Sequence, residues 1–281
     1  MSVTPAVDRI EVGIDYVTAT IRDGSDNFEP FVRIAHQLLR QDANAGAIYR
    51  EARLLGYSGH QSKHTFFGAS PQGLLFRVSG AASTEAFYAI GPFTDHFSRL
   101  DLQATVQYAV EQVDVAQLNY LLCNAANERV PQARRRKLTL WAGNDGGATL
   151  YIGSRTSEQF ARIYNKYAQS DESHFERCWR FEVQLTNKMA VHYAQLLLAD
   201  MYPRNEELAD MVHSWLIRRG VQPPWNAFDN QYAVPAISLE LPDDQKRIDW
   251  IAKQVAPAVR QLIDSGYRDV LYSLLFGSEG G

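Results

Sequence analysis

The sequence predicts an α+β fold: a body of largely antiparallel strands over residues 1–190, with a mostly helical region over 191–281 packed on it. Three observations carry this. Apolar and β-branched residues alternate with period two in several segments before Leu185, the mark of strands with one buried face. Glycines punctuate residues 56–82 at turn-like intervals. After Leu185 the apolar residues change to helical spacing. Strands first and helices later, rather than alternating units, read as α+β.

Residues 9–21 (RIEVGIDYVTATI) are rich in β-branched side chains and form the first predicted strand. A helix is predicted over 29–41, with Phe31, Ile34, Leu38 and Leu39 on one face. Gly56, Gly59, Gly68, Gly73 and Gly80 separate short strand-like runs, which predicts a meander with tight turns. Residues 97–106 (FSRLDLQATV) read as a strand, and 115–127 as a helix carrying Leu118, Leu121 and Leu122. The runs 137–141 and 149–152 flank Gly143-Asn144-Asp145-Gly146-Gly147, a hairpin signal. RIYNK (162–166) and CWRFEVQL (178–185) follow as short strands. Helices are then predicted over 189–199, 206–217 and 244–263, the last interrupted at Pro257, which has no N–H to donate. Pro223-Pro224-Trp225 opens an irregular connector reaching Pro242, and no internal repeat or low-complexity segment is evident.

The 281 residues suffice for one large domain or two modest ones, at ~150 residues per domain. Hydrophobic residues make up 46% and charged residues 21%, which excludes disorder as the dominant state. No apolar run approaches the ~20 residues of a membrane span. The opening MSVTPAVDRIEVG has neither the basic stretch nor the apolar core of an export signal. Cys123 and Cys178 are too few for a disulfide scaffold or a cysteine-based zinc site. A soluble, reduced, cytoplasmic protein is the expectation. The net charge of −4 hides an asymmetry: residues 129–166 carry a net +6, leaving −10 for the rest. Such a patch suits a polyanion, because Lys and Arg displace counterions from phosphates. A solvated hairpin with scattered charge has the same composition.

Three predicted strands share a pattern: Arg99-Leu100-Asp101, Arg162-Ile163-Tyr164 and Arg180-Phe181-Glu182. Successive strand side chains point to opposite faces. Arg99, Asp101 and Gln103 therefore share one face and oppose Leu100, Leu102 and Ala104. Arg180, Glu182 and Gln184 oppose Trp179, Phe181, Val183 and Leu185, while Arg162 and Tyr164 oppose Ala161 and Ile163. If the strands are neighbours, one face carries two carboxylates, a phenol and three guanidiniums. Two carboxylates can hold a hard divalent cation, and arginines can stabilise charge developing on phosphorus. Cross-strand ion pairs on a solvated face are the plainer reading. Pattern alone stops at metal-assisted phosphate chemistry.

Ile152-Gly153-Ser154-Arg155-Thr156-Ser157, Arg162-Ile163-Tyr164-Asn165-Lys166 and Trp179-Arg180-Phe181-Glu182-Val183-Gln184-Leu185, with FSRLDL (97–102) upstream, resemble the motifs of the replication initiation factor family. IDYVTATI (14–21), LLFRVSG (74–80) and IDWIAKQVAPAV (248–259) are similar to segments of its phage-type members. The resemblance implies a rolling-circle DNA nicking and strand-transfer enzyme of a phage, plasmid or conjugative element, working in the bacterial cytoplasm. It implies an antiparallel-sheet core related to HUH endonucleases, without their His-hydrophobic-His motif. By the same resemblance Tyr164 is the nucleophile that forms a 5′-phosphotyrosine link, with Arg162, Arg180 and Lys166 around it. Asp101 and Glu182 fall on the acidic metal positions for Mg²⁺ or Mn²⁺. Arg99, Arg134, Arg135, Arg136, Lys137 and Arg155 are the expected DNA contacts. Plasmid members often carry a second acid four residues after the first, where this chain has Thr105. A third metal ligand is therefore unassigned. The implied partners are origin DNA, single-stranded or hairpin, and a host helicase with the replication machinery. A homodimer is open, and no membrane is involved.

Other candidates are weaker. His60 and His64 have the spacing of a helical metal pair, but the glycines around them argue against a helix. Tyr167 would face away from Tyr164 on a strand and share its face on a helix. Trp141 is expected to pack on the hairpin, with base stacking as the alternative. No Walker-type loop is present, so unwinding is left to a partner.

Overall fold

The computed structural model describes residues 7–44, 50–108, 138–142, 148–166, 168, 177–199, 205–219, 221, 223–226, 259–260 and 263–266. In chain order the strands are β1 (Val7–Ile21), β2 (Arg50–Leu54), β3 (Tyr57–Gln61), β4 (Thr65–Ser70), β5 (Gly73–Ser79), β6 (His96–Tyr108), β7 (Leu138–Ala142), β8 (Ala148–Ile152), β9 (Gln159–Asn165) and β10 (Cys178–Thr186). The helices are α1 (Phe28–Asn44) after β1, α2 (Ser83–Ile90) after β5, and α3 (Asn187–Ala199) and α4 (Asn205–Arg218) after β10. All ten strands among the described residues join one sheet in the order β2-β3-β4-β5-β1-β6-β10-β9-β8-β7. Every pairing is antiparallel. The fold is α+β with an antiparallel-sheet core, as predicted.

The strand alternation sorts the sheet into two faces. Val17, Ala19, Leu100, Leu102, Phe181, Val183 and Leu185 are buried on one of them. The helices cover this face. Phe31, Ala35 and Leu39, at helical spacing on α1, are fully buried, and Phe31 meets Phe67 of β4. Phe87 of α2 packs on Phe97 of β6 at 5.2 Å. Trp225, after α4, meets Phe181 edge-on at 5.0 Å. Each such ring or aliphatic side chain contributes roughly 1.5–3 kcal/mol by leaving water. No described helix is long and apolar enough to cross a membrane.

The strand order contains a repetition that the sequence does not show. β1 is followed by a helix, a four-strand meander that returns beside it, and then α2. β6 is followed by the meander β7 to β10, which returns beside β6, and then by α3. Both halves read the same way outward from the long β1–β6 ladder. The repetition is one of strand order. Phe76-Arg77-Val78 on β5 and Phe181-Glu182-Val183 on β10 are a short likeness on corresponding strands. Joining β1 to β6 also removes the longest unpaired edge either half would present.

The chain divides into two compact units, Met1–Val234 and Pro235–Gly281. The boundary expected at 190 falls inside the first unit, which also holds α3 and α4. Asn187 adopts φ 51°, which turns the chain from β10 directly into α3 and lays that helix back on β6 and β10. In the second unit only residues 259–260 and 263–266 are described; 259, 260 and 263 fall within the helix predicted over 244–263, and 264–266 follow its predicted end. The helix predicted over 115–127 and the turn 143–147 lie outside the described residues. The short α2 was not predicted.

One polar anchor fixes α1 to the meander. Asp42 accepts hydrogen bonds from the Ser62 hydroxyl and from the backbone N–H of His64 and Thr65, the latter two at 3.0 Å. Burial alone would raise its pKa, but these bonds hold the carboxyl below its usual range. A depressed carboxyl pKa contributes stability that is present above the unfolded value near ~3.9 and lost as pH falls through the folded one. Asp42→Ala leaves buried Ser62 and Thr65 without this acceptor. It is expected to lower unfolding free energy by about 1–3 kcal/mol at neutral pH, read by denaturant titration, with a smaller loss at pH 3.

Candidate functional site

On the face away from the helices, the registers of four strands set residues side by side. One row runs Thr149, Tyr164, Arg180, Thr105 across β8, β9, β10 and β6. The next runs Tyr151, Arg162, Glu182, Gln103. A third sets Phe160 beside Gln184 and Asp101, with Tyr16 of β1 completing it. Asp101 and Glu182 thus occupy diagonal positions on neighbouring strands. Tyr164 and Glu182 stand diagonally in the same way.

Each carboxylate is held by an arginine. Arg99 donates from Nε to Oδ1 of Asp101 at 2.8 Å and from Nη2 to Oδ2 at 2.5 Å. Its guanidinium also lies 4.0 Å over the Tyr16 ring. Arg162 donates from Nη2 to Oε1 of Glu182 at 2.5 Å, while Tyr164 donates its hydroxyl to Oε2 at 3.2 Å. Arg180 donates to the Thr105 hydroxyl at 3.0 Å and to Oδ1 of Asp15 at 3.1 Å. Asp101 is 1% exposed, Glu182 2% and Tyr164 5%, so these interactions run through a medium less polar than water. Burial pushes the Asp101 carboxyl up to about 6, against the pull of Arg99. Burial and the Glu182 charge push the Tyr164 phenol well above its ordinary value, only partly opposed by Arg180 and Arg162. The phenol therefore stays protonated at neutral pH until a base takes the proton.

Two features of this cluster bear on phosphate and metal chemistry. Arg162 Nε is buried and has no hydrogen-bond partner among the described residues. Such a donor suits an anionic oxygen arriving from outside. The two carboxylates are hard oxygen donors of the kind that hold a magnesium-like cation by one or two groups, with substrate oxygens completing its shell. Among the described residues, no three His, Cys, Asp or Glu side chains gather to hold a metal. Thr105 does not supply a third charged ligand: its hydroxyl donates to Gln103 Oε1 at 2.7 Å and accepts from Arg180. The donor set fits an ion shared with substrate rather than one enclosed by protein.

The sequence profile of replication initiation factors matches residues 95–275, well over half of the chain. The chain belongs to the replication initiation factor family. A solved structure of a rolling circle replication initiator protein from Geobacillus stearothermophilus shares its fold with a TM-score of 0.55. That likeness covers 80% of this chain and 91% of the other at 19% identity. A putative C-terminal regulatory domain of aspartate kinase from Porphyromonas gingivalis is 6% identical over 70% of this chain and 97% of that one. Its TM-score is 0.19, too low to carry a fold argument. No curated protein matches the sequence.

In this initiator-family chain the structure gathers Arg99, Asp101, Arg162, Tyr164, Arg180 and Glu182 on one face. Lys166 lies just past the end of β9, half-buried. Arg155 lies apart, exposed in the turn after β8 with its guanidinium 4.9 Å over the Tyr151 ring. Arg134, Arg135, Arg136, Lys137 and Tyr167 fall outside the described residues. β9 ends at Asn165, two residues before Tyr167. His60 is on β3 and His64 in the turn beyond it, so the two share no helix. Trp141 does not pack on its hairpin: it is 70% exposed. Two residues of the site had no sequence signal. Asp15 alternates away from Tyr16 by count, yet a bulge between Ile14 and Tyr16 re-aims it toward Arg180. Tyr16 became legible only through its pairing with Asp101.

Proposed function

We propose that the protein is a rolling-circle DNA replication initiator that nicks one strand at its origin and transfers it through a 5′-phosphotyrosine link. The observation that carries this reading is the hydrogen bond from the Tyr164 hydroxyl to Glu182, with Arg162 and Arg180 on either side. A phenol so placed has a base within reach and two cations near the charge it would develop. As the Tyr164 oxygen forms its bond to phosphorus, the phenolic proton passes to Glu182 Oε2. The bond from phosphorus to the 3′ oxygen breaks, and that oxygen leaves as a 3′-hydroxyl after taking a proton from water. Arg162 and Arg180 stabilise the charge on the non-bridging oxygens. Asp101 and Glu182 would hold a Mg²⁺ or Mn²⁺ ion, which supplies polarisation of the phosphate when bound. Arg99, Arg155, Lys166 and the run Arg134-Arg135-Arg136-Lys137 are the proposed contacts to the DNA backbone. A helicase is the proposed partner for unwinding.

Incubating the protein with a supercoiled plasmid bearing its origin tests the reading. Open or relaxed circles are expected with Mg²⁺ or Mn²⁺ and none with EDTA. Origin binding without any cleavage in either metal would make it an origin-binding factor and sink the enzymatic proposal.

A further inference from the structure

We propose that the outer strands β7 and β8, beside Tyr164, form a base-stacking platform for the single strand flanking the nick, with Trp141 as its main ring. The inference rests on the reading of DNA as substrate and adds where its bases lie. Trp141 pairs with Thr149, and Thr149 pairs with Tyr164, so all three stand in one row on one face. Neighbouring strands are about 4.8 Å apart, which sets the Trp141 backbone roughly 10 Å from that of Tyr164. That is within reach of a nucleotide close to the scissile phosphate. Thr149, small and half-buried, raises no wall between them.

The next row strengthens the case. Tyr151 shares the face, lies nearly parallel to Phe160 at 5.8 Å and carries the exposed Arg155 guanidinium at 4.9 Å. Phe160 is buried and Tyr151 half-buried, so Trp141 supplies the exposed face, with Arg155 close by for phosphate. An exposed ring beside arginine holds single strands because every base has a π-face and every nucleotide a phosphate. A duplex, whose bases are already stacked, would not use the ring this way. A second copy of this chain is the competing occupant, since β7 is a sheet edge. Edge pairing would engage the backbone of β7, however, whereas Trp141 stands on the face that carries the site.

The test compares the wild-type chain with Trp141→Ala and Trp141→Phe in binding a thymidine oligonucleotide and an abasic strand of equal length. Trp141→Ala should weaken binding to the thymidine strand roughly tenfold or more, and Trp141→Phe much less. The salt slope should stay unchanged, because a ring releases no counterions. On the abasic strand all three proteins should bind alike. Equal affinity of wild type and Trp141→Ala for the thymidine strand would overturn the platform and leave the nicking proposal standing. Failure of the wild type to bind either strand would also overturn the platform, while the origin-plasmid assay judges the nicking proposal separately. Loss of a dimer in Trp141→Ala, seen by sedimentation with DNA affinity intact, would assign the ring to a second copy instead.

Discussion

Tyr164→Phe is expected to bind origin DNA like the wild type and to form no covalent adduct on a denaturing gel. The change keeps the ring, which lies 5% exposed between the rows of β8 and β10, and removes only the oxygen that donates to Glu182. Glu182 retains Arg162 at 2.5 Å, so the carboxylate is not stranded, and the stability loss should stay near ~1 kcal/mol. Deleting a nucleophile removes catalysis on the scale of ~10⁴-fold or more, far beyond that structural cost. Tyr167→Phe serves as the comparison and should keep the adduct. An adduct persisting in Tyr164→Phe and vanishing in Tyr167→Phe would move the nucleophile to Tyr167. Because binding is read separately, a misfolded variant is recognised by lost affinity and a lower melting temperature.

The candidate site was legible where it depended on alternation alone. Arg99 and Asp101, or Arg180 and Glu182, share a face because they are two apart on one strand, and no tertiary information is needed for that. Which strands are neighbours was not legible. β1, β6 and β10 pair across long stretches of chain, and period-two patterning is identical for any antiparallel partner. The pairing decides the chemistry: Arg162 serves Glu182 across a strand boundary, whereas Arg99 serves Asp101 on its own strand. Asp15 shows the same limit locally, since one extra residue in β1 inverts the face that counting assigns it. α2 was missed because eight residues give little helical periodicity, and Pro92 and Gly91 close it at once. Trp141 departs from the packing usual for a large ring: it stands 70% exposed on the face of β7 that carries the site.

Asp101→Asn and Glu182→Gln should each abolish nicking while leaving the fold and DNA binding in place. In the ion-paired cluster three carboxylates, Asp15, Asp101 and Glu182, face three guanidiniums, Arg180, Arg99 and Arg162. The face is therefore close to neutral and has little pull on a phosphodiester by itself. A divalent cation on Asp101 and Glu182 would change its sign and free the arginines to turn toward phosphate. Either amide substitution removes one of the two charges such an ion requires, with almost no change in shape. Glu182→Gln also removes the acceptor of the Tyr164 proton, a loss worth a further ~10²–10⁴-fold. Breaking a fully buried ion pair would cost several kcal/mol, but the Arg99 and Arg162 side chains are 31% and 38% exposed and can hydrate when released. The native state should thus survive, which a melting curve checks. Metal linkage gives a second measurement: ions that bind only the folded state raise the melting temperature. Mn²⁺ should do so for the wild type and for neither variant. Near wild-type nicking by either variant, or an equal Mn²⁺ shift in all three proteins, would place the ion elsewhere and leave Asp101 and Glu182 as partners of their arginines alone.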